Sequence, residues 1–309
     1  MPEHKNCVTI FTVFKMKAYS KYKGIILIII SAFCFALMNM FVRLSGDLPT
    51  AEKGFFRNLV AFAFALALMI KNRESFRFQK RNLPLLLGRS LAGTLGILGN
   101  FYAVSNMKVL GDASILNKMS PFFAVLFSLI FLKEKLKVPQ VLILTGAFIG
   151  AMFVVKPSFT NADLFASVCG LGGGIAAGAA YSMVRALGKR GESGAFIVLF
   201  FSGFSCLAMV PLMIFDFKMF SAYQLCMLLL AGLSAAGGQF SITAAYTYAP
   251  AREISIYDYS QIIFASALGF FVFADIPDLY SIIGYVIIVV MALVMFLYNN
   301  SKYKRDNGV

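Results

Sequence analysis

The sequence predicts an all-α membrane protein: ten transmembrane helices in two inverted five-helix repeats. Three observations carry that prediction. Long apolar runs recur along the whole chain, whose mean hydropathy is +0.79. Basic residues collect in alternate connections, and a segment of the first half returns 141 residues later in the second. A bilayer's hydrocarbon core is roughly 30 Å thick and takes about 20 helical residues to cross. Unpaired backbone groups are not tolerated there, so runs of that length are helices rather than strands, whose pattern would be short and alternating.

The first expected span, 24–44, follows the basic lead-in Met16-Lys17-Ala18-Tyr19-Ser20-Lys21-Tyr22-Lys23 and stays as an uncleaved anchor, since no small-residue cleavage site accompanies it. Residues 1–15 read as an upstream extension, with Met16 as an alternative start. The second span, 53–71, carries Arg57, and the third, 84–106, carries Arg89. The fourth, 112–132, holds Lys118 and Pro121; the proline removes a backbone hydrogen bond and bends the helix. Lys133-Glu134-Lys135-Leu136-Lys137 leads to the fifth, 138–156, where Gly146 and Gly150 form a close-packing stripe. Gly170, Gly174 and Gly178 repeat that stripe in the sixth, 165–186. The seventh (194–215) and eighth (222–247) are long apolar runs, the ninth (253–274) carries Asp258, and Ile276-Pro277-Asp278 leads to the tenth, 279–298. The organisation is therefore a cytoplasmic leader (1–23), a first repeat (24–156), a second repeat (165–298) and a cytoplasmic tail (299–309). No connection is long enough for an extramembrane domain.

A net charge of +14 would suggest nucleic acid in a soluble protein. Its distribution argues otherwise. With the N-terminus inside, only Arg43, Lys53, Lys108, Lys156 and Lys218 fall outside, and Arg57, Arg89 and Lys118 fall within spans; the other Lys and Arg residues are cytoplasmic. That asymmetry places both termini in the cytoplasm, and the charge is explained by topology and contact with anionic lipid, with no nucleic acid partner. The five cysteines (Cys7, Cys34, Cys169, Cys206, Cys226) have no metal-ligand spacing, and no metal or cofactor is expected. Gly172-Gly173-Gly174 lacks the Lys-Ser/Thr sequel of a phosphate loop. The single histidine, His4, lies in the leader, so a membrane-embedded enzyme lacks its constellation.

The repeat carries the functional argument. Ala113-Ser114-Ile115-Leu116-Asn117-Lys118-Met119-Ser120 aligns with Ile254-Ser255-Ile256-Tyr257-Asp258-Tyr259-Ser260-Gln261, and the same offset carries Glu134 onto Asp275. Phe101-Tyr102-Ala103-Val104 resembles Thr243-Ala244-Ala245-Tyr246 with a gap. Five spans per unit is an odd number, so the second unit starts on the opposite side and the halves are inverted. Inverted repeats let one structure alternate between inward-open and outward-open forms about a site near the midplane.

Ser120-Pro121-Phe122-Phe123-Ala124 running to Leu132-Lys133-Glu134-Lys135-Leu136, and its counterpart Tyr259-Ser260-Gln261-Ile262-Ile263-Phe264-Ala265 running to Phe273-Ala274-Asp275-Ile276-Pro277, resemble the drug/metabolite transporter superfamily, EamA-type. The resemblance covers nearly all of the chain after Lys23. It implies an inner-membrane carrier of amino acids, nucleobases or similar metabolites, with a cavity lined mainly by the first, third, fourth, sixth, eighth and ninth spans. Asp275 in place of Glu, and Ile262 opposite Pro121, depart from the usual pattern.

A charged side chain within a span costs roughly 2.5–3.5 kcal/mol on insertion scales, so Arg57, Arg89, Lys118 and Asp258 each need an explanation. Arg89 and Asp258 lie at similar depth from the cytoplasmic side. They either pair as coupling or gating residues, or Arg89 snorkels to headgroups. Asp258 is the leading candidate for a functional, proton-coupled acid, the alternative being a structural ion pair. Lys118 either faces a solute together with Asp258, which suits a zwitterion or small carboxylate, or pairs with Asp112 at the outer rim. Asn39, Asn100, Tyr102, Asn117, Gln239, Tyr246, Tyr257 and Gln261 complete the candidate substrate-binding set, each an interhelical hydrogen bond on the other reading. Tyr257 and Tyr259 lie about 200° apart around a helix and cannot both face one cavity. The expected activity is secondary active transport of a small-molecule substrate, with a channel as the alternative; monomer and homodimer both remain open.

Overall fold

The computed structural model describes residues 3–76, 78–106, 116–134, 137–155 and 164–306, with side chains over 22–76, 78–103, 116–134, 137–154 and 164–301. Lys108, Asp112 and Lys156, and the repeat residues Ala113-Ser114-Ile115, lie outside the described residues. All regular elements among the described residues are helical. They are α1 (Glu3–Leu44), α2 (Thr50–Lys71), α3 (Leu83–Asn106), α4 (Ser120–Leu132), α5 (Val138–Val155), α6 (Leu164–Lys189), α7 (Gly194–Phe215) and α8 (Ala222–Tyr248). The ninth element, α9, is composite: a turn of helix Ala251–Ile254, a 3-10 segment Ser255–Tyr259 and a helix Ser260–Phe273. The last, α10, is Leu279–Asp306.

Among the described residues seven spans are long and apolar enough to cross a membrane: Tyr22–Leu44, α2, α6, α7, α8, the composite Ala251–Phe273 and Leu279–Ser301. The other three expected spans are helical as well. Of the fourth, residues 107–115 lie outside the described residues and α4 covers 13, while α5 is an apolar helix of 18 residues. The 24 residues of α3 suffice in length, but they include Arg89, Ser90, Thr94 and Asn100. The first helix begins at Glu3, so the leader and the first span form one element rather than two. Between 22% and 44% of each span's residues are buried against the rest of the chain. Large apolar side chains such as Leu207, Phe271, Val286 and Leu297 point outward, as lipid requires and water would not tolerate over so wide a surface.

Local chemistry sets the helix ends. Ser221 and Gln224 form a reciprocal capping box at the start of α8, each side chain satisfying the other's backbone N–H. Pro121 does not bend a continuous helix: Leu116 and Asn117 end a helical turn, Lys118 and Met119 form the break, and the proline sits in the first turn of α4, where its missing N–H leaves no bond unmade. The 3-10 segment of α9 occupies the corresponding stretch of the second half.

Helices α3 and α6 pack together, as do α1 and α8, α5 and α10, and α2 and α7; α4 rests on α6, and α9 on α1. Glycine permits the closest contacts. A Cβ added at Gly173 would lie 2.9 Å from the Asn100 nitrogen on α3, and one at Gly174 would lie 2.6 Å from the Leu116 carbonyl oxygen. Gly178 faces Phe123 and Ala124, so the expected stripe on α6 seats α4. On α5, Gly150 meets Gly284 of α10 almost backbone to backbone.

Contacts at the helix ends sort them into two faces. At one, which we call the basic end, Lys23 of α1 donates to Tyr248 of α8, Tyr22 to Asn300 of α10, and Arg190 beyond α6 to Asn82 before α3. At the other, the far end, Gln224 of α8 donates to the Ser45 carbonyl beyond α1, and the Lys218 N–H, in the α7–α8 connection, donates to Glu52 of α2.

Candidate solute-binding site

The two interrupted spans bring a buried ion pair together. Backbone irregularity at membrane depth is tolerated where it is enclosed by protein or lines a cavity. Here the break before α4 presents Lys118 and the 3-10 segment of α9 presents Asp258. The Lys118 ammonium lies 3.4 Å from Asp258 Oδ2 and donates to Gln261 Oε1 at 2.6 Å. The Tyr259 hydroxyl donates to the Lys118 carbonyl at 3.0 Å, tying one interruption to the other. Lys118 and Asp258 are both buried, so each charge is held by its partner rather than by water.

The expected pairing of Arg89 with Asp258 is absent from this arrangement. Lys118 occupies the carboxylate, while the Arg89 guanidinium lies 3.9 Å above the Phe201 ring of α7. Gly93, one turn along α3, leaves the room: a Cβ there would collide with Arg89 Nη1 and Phe201. Nor does Arg89 snorkel, being 2% exposed. The alternative pairing of Lys118 with Asp112 lies outside the described residues.

Tyr246 is fully buried, donates or accepts at Ser255 Oγ (3.2 Å) and stacks on Tyr181 with ring centroids 5.0 Å apart. Tyr181 in turn lies within electrostatic reach of Asp258, Arg89 and Arg57, so α2, α3, α6, α8 and α9 converge there. Asn39, Lys118 and Gln261 line a cavity of about 420 Å³ between α1, α9 and α10, together with Ser266, Asp275, Ser281 and Tyr285. Tyr257 is buried with no partner for its hydroxyl. The remaining candidates are not gathered at this point. Gln239 donates within α8 to Thr243, Tyr102 is exposed and packs edge-on against Phe165, Asn100 lies at the α3–α6 contact, and Asn117 is half-buried with its carbonyl toward Gly174. Sequence reasoning missed Tyr181. Its signal was a polar aromatic three residues beyond the last glycine of the α6 stripe, at a depth similar to that of Arg89.

Two turns flank the site at opposite ends of the bundle. After α4, Lys133 adopts the left-handed conformation (φ 51°); after α9, Ala274 does the same (φ 55°). In each the left-handed residue's N–H returns to a carbonyl five positions back, Ser128 or Gly269, and the following acid's N–H joins it. The acids then differ in company. Glu134, at the basic end, accepts from Ser128 (2.6 Å), Lys189 (2.9 Å) and Arg185 (3.4 Å), and Arg185 also donates to the Tyr246 and Thr247 carbonyls. Burial alone would raise the Glu134 pKa, but the Ser128 hydroxyl, Lys189 and Arg185 outweigh it and hold the carboxyl below the usual range. Asp275, at the far end, accepts only from Arg43, at 2.7 Å, and Arg43 covers the Phe273 ring.

Residues 22–156 match the EamA-like transporter family. The pseudopaline exporter CntI of Pseudomonas aeruginosa (strain UCBPP-PA14) is 33% identical over 275 residues, covering 88% of this chain and 95% of its own. An uncharacterized transporter of Helicobacter pylori (strain J99) is 27% identical over 285 residues, covering 89% and 94%. A crystal structure superposes with a TM-score of 0.77 over 89% of this chain and 96% of that one, at 13% identity, a likeness of fold alone. With its apolar spans, its interrupted helices and these relatives, the chain is a multi-pass membrane protein that belongs to the EamA-like transporter family.

Proposed function

We propose that the protein is a secondary active transporter that moves a small metabolite across the cytoplasmic membrane by alternating access. The moving parts are two oppositely oriented five-helix repeats, 24–156 and 165–298, with both termini in the cytoplasm. The observation that carries this reading is the pair of related turns at opposite ends of the bundle. Each has a left-handed residue, an acid 141 positions from its counterpart, and a basic partner near the end of the first helix of a repeat: Arg43 on α1, Arg185 on α6. Helix packing supports it too, because exchanging each helix with the one five places away maps α3–α6 onto α8–α1 and α4–α6 onto α9–α1. Two equivalent closures on opposite faces are what alternation between mirror-related states needs.

The solute class this reading favours is an amino acid, nucleobase or similar metabolite held near Lys118, Asp258 and Gln261. Asp258 is the coupling acid: protonation would release Lys118 and change the charge of the site. The experiment is counterflow into proteoliposomes at several pH values, combined with sided labelling of single cysteines. Saturable, trans-stimulated flux is expected, with cysteines at 133 and 190 labelled from one face and cysteines at 43 and 218 from the other. Asp258→Asn is expected to flatten the pH profile while binding persists. Unsaturable current would convert the carrier into a pore, and labelling of positions 133 and 190 from contrary faces would remove the inverted repeat.

A further inference from the structure

The membrane-embedded charges of this site do not balance. Lys118 has its carboxylate in Asp258. Arg57 and Arg89 have none: among the described residues no ion pair involves either. Arg57 is 8% exposed; its Nε meets only the Met38 sulfur (3.2 Å), a weak acceptor, and its Nη1 is buried without a partner. Arg89 is buried more deeply still, with Phe201 against the face of its guanidinium and its Nε buried without a partner. The other buried acid nearby, Glu52, sits in the first turn of α2 at the far end, where it accepts from the Lys218 N–H. The two guanidiniums lie within electrostatic reach of one another and of Tyr181, so they belong to one neighbourhood rather than to separate defects.

Two like charges with unmet donors, enclosed at membrane depth, are an unfavourable arrangement for a protein at rest. Their mutual repulsion opposes folding, and burial takes most of each guanidinium out of contact with solvent. Gly93 leaves room beside the Arg89 guanidinium and the Phe201 ring, both of which would have to shift if a side chain stood there. A planar guanidinium presents parallel N–H donors that match a carboxylate in bidentate fashion. We infer that Arg57 and Arg89 bind the solute itself and that the solute is a small polycarboxylate, at least two of whose carboxylate groups pair with the two guanidiniums. The aromatic flanks, Phe35 beside Arg57 and Phe201 beside Arg89, hold the guanidiniums without consuming their donors.

This inference rests on the transporter reading and goes beyond it: it narrows the solute to a polycarboxylate and adds Arg57 and Arg89 to the contacts expected at Lys118, Asp258 and Gln261. The test is a thermal-shift and calorimetric titration of the purified protein with succinate, citrate, acetate, inorganic phosphate and leucine, followed by counterflow in proteoliposomes. Succinate or citrate is expected to bind saturably, and acetate and leucine to bind at least about tenfold more weakly. Arg57→Gln and Arg89→Gln are expected to weaken dicarboxylate binding roughly 10- to 100-fold, the range for losing one charge-assisted contact. Each should melt at or above the wild-type temperature without ligand, because it removes an uncompensated charge. A structural role for either arginine would lower the melting temperature instead and leave the affinity of the surviving protein unchanged, which overturns the inference. Phosphate binding as well as succinate overturns the carboxylate assignment. Counterflow of leucine with no dicarboxylate binding overturns the inference and leaves the transporter reading intact, whereas dicarboxylate binding without any counterflow keeps the site and removes the transporter reading.

Discussion

The turn after α4 and the turn after α9 share a backbone and differ in how firmly they are held. At the basic end, Glu134 is 9% exposed and serves two cations and a hydroxyl; at the far end, Asp275 and Arg43 are 53% and 55% exposed and have only each other. The same backbone turn carries two different side-chain settings. A buried carboxylate with several partners leaves an uncompensated charge when broken, while an exposed pair exchanges its partner for water at little loss. On the proposed alternating-access reading, the basic end is therefore the firm closure and the far end the soft one. The cavity that reaches Lys118 and Gln261 is lined by Asp275, Ile276 and Pro277 of the soft turn, in agreement with that difference.

Breaking the firm closure gives the largest effect. Glu134→Ala takes the carboxylate from the part-buried Arg185, while the exposed Lys189 turns to water, and the thermal stability of the purified protein should fall by about 2 kcal/mol, between the ranges for an exposed and a buried pair. The pH dependence sharpens the same point. Because the Glu134 carboxyl is held below its ordinary value, its stabilisation is complete above that value and is lost as pH falls through the depressed folded-state value. Melting temperatures of wild type and Glu134→Gln should differ near about pH 7 and converge below about pH 4, under the ordinary glutamate value of about 4.3. A constant difference across that window would mean that the ion pair is not the source of the stability. The smallest effect belongs to the soft closure. Arg43→Ala should change stability by less than about 1 kcal/mol, yet it should speed modification of a cysteine placed at Ser281 in the cavity wall. Equal losses at the two ends would erase the contrast.

Much of this was legible in the sequence, because a bilayer reads hydropathy directly and the spacing of Glu134 and Asp275 survives in plain letters. The expected boundaries of α2, α7 and α8 lie within three residues of those observed. What did not show was the state of the fourth and ninth spans. Hydropathy records which residues avoid water, not which backbone hydrogen bonds are made, so Ser255–Tyr259 reads the same whether α-helical or 3-10. The choice between Arg89 and Lys118 as the neighbour of Asp258 was equally hidden. Depth along a helix comes from counting residues, but azimuth depends on tertiary packing, and it is the gap at Gly93 that turns Arg89 toward Phe201.

The meeting of Gly150 with Gly284 has a consequence for how the molecule deforms. A methyl group added at Gly284 would lie 2.5 Å from the Gly150 carbonyl oxygen, so any side chain at either position would push α5 and α10 apart. The two backbones touch there with no side chain between them. Gly284→Ala would wedge the pair open without touching Lys118 or Asp258, which separates the effect of helix spacing from that of the buried charges.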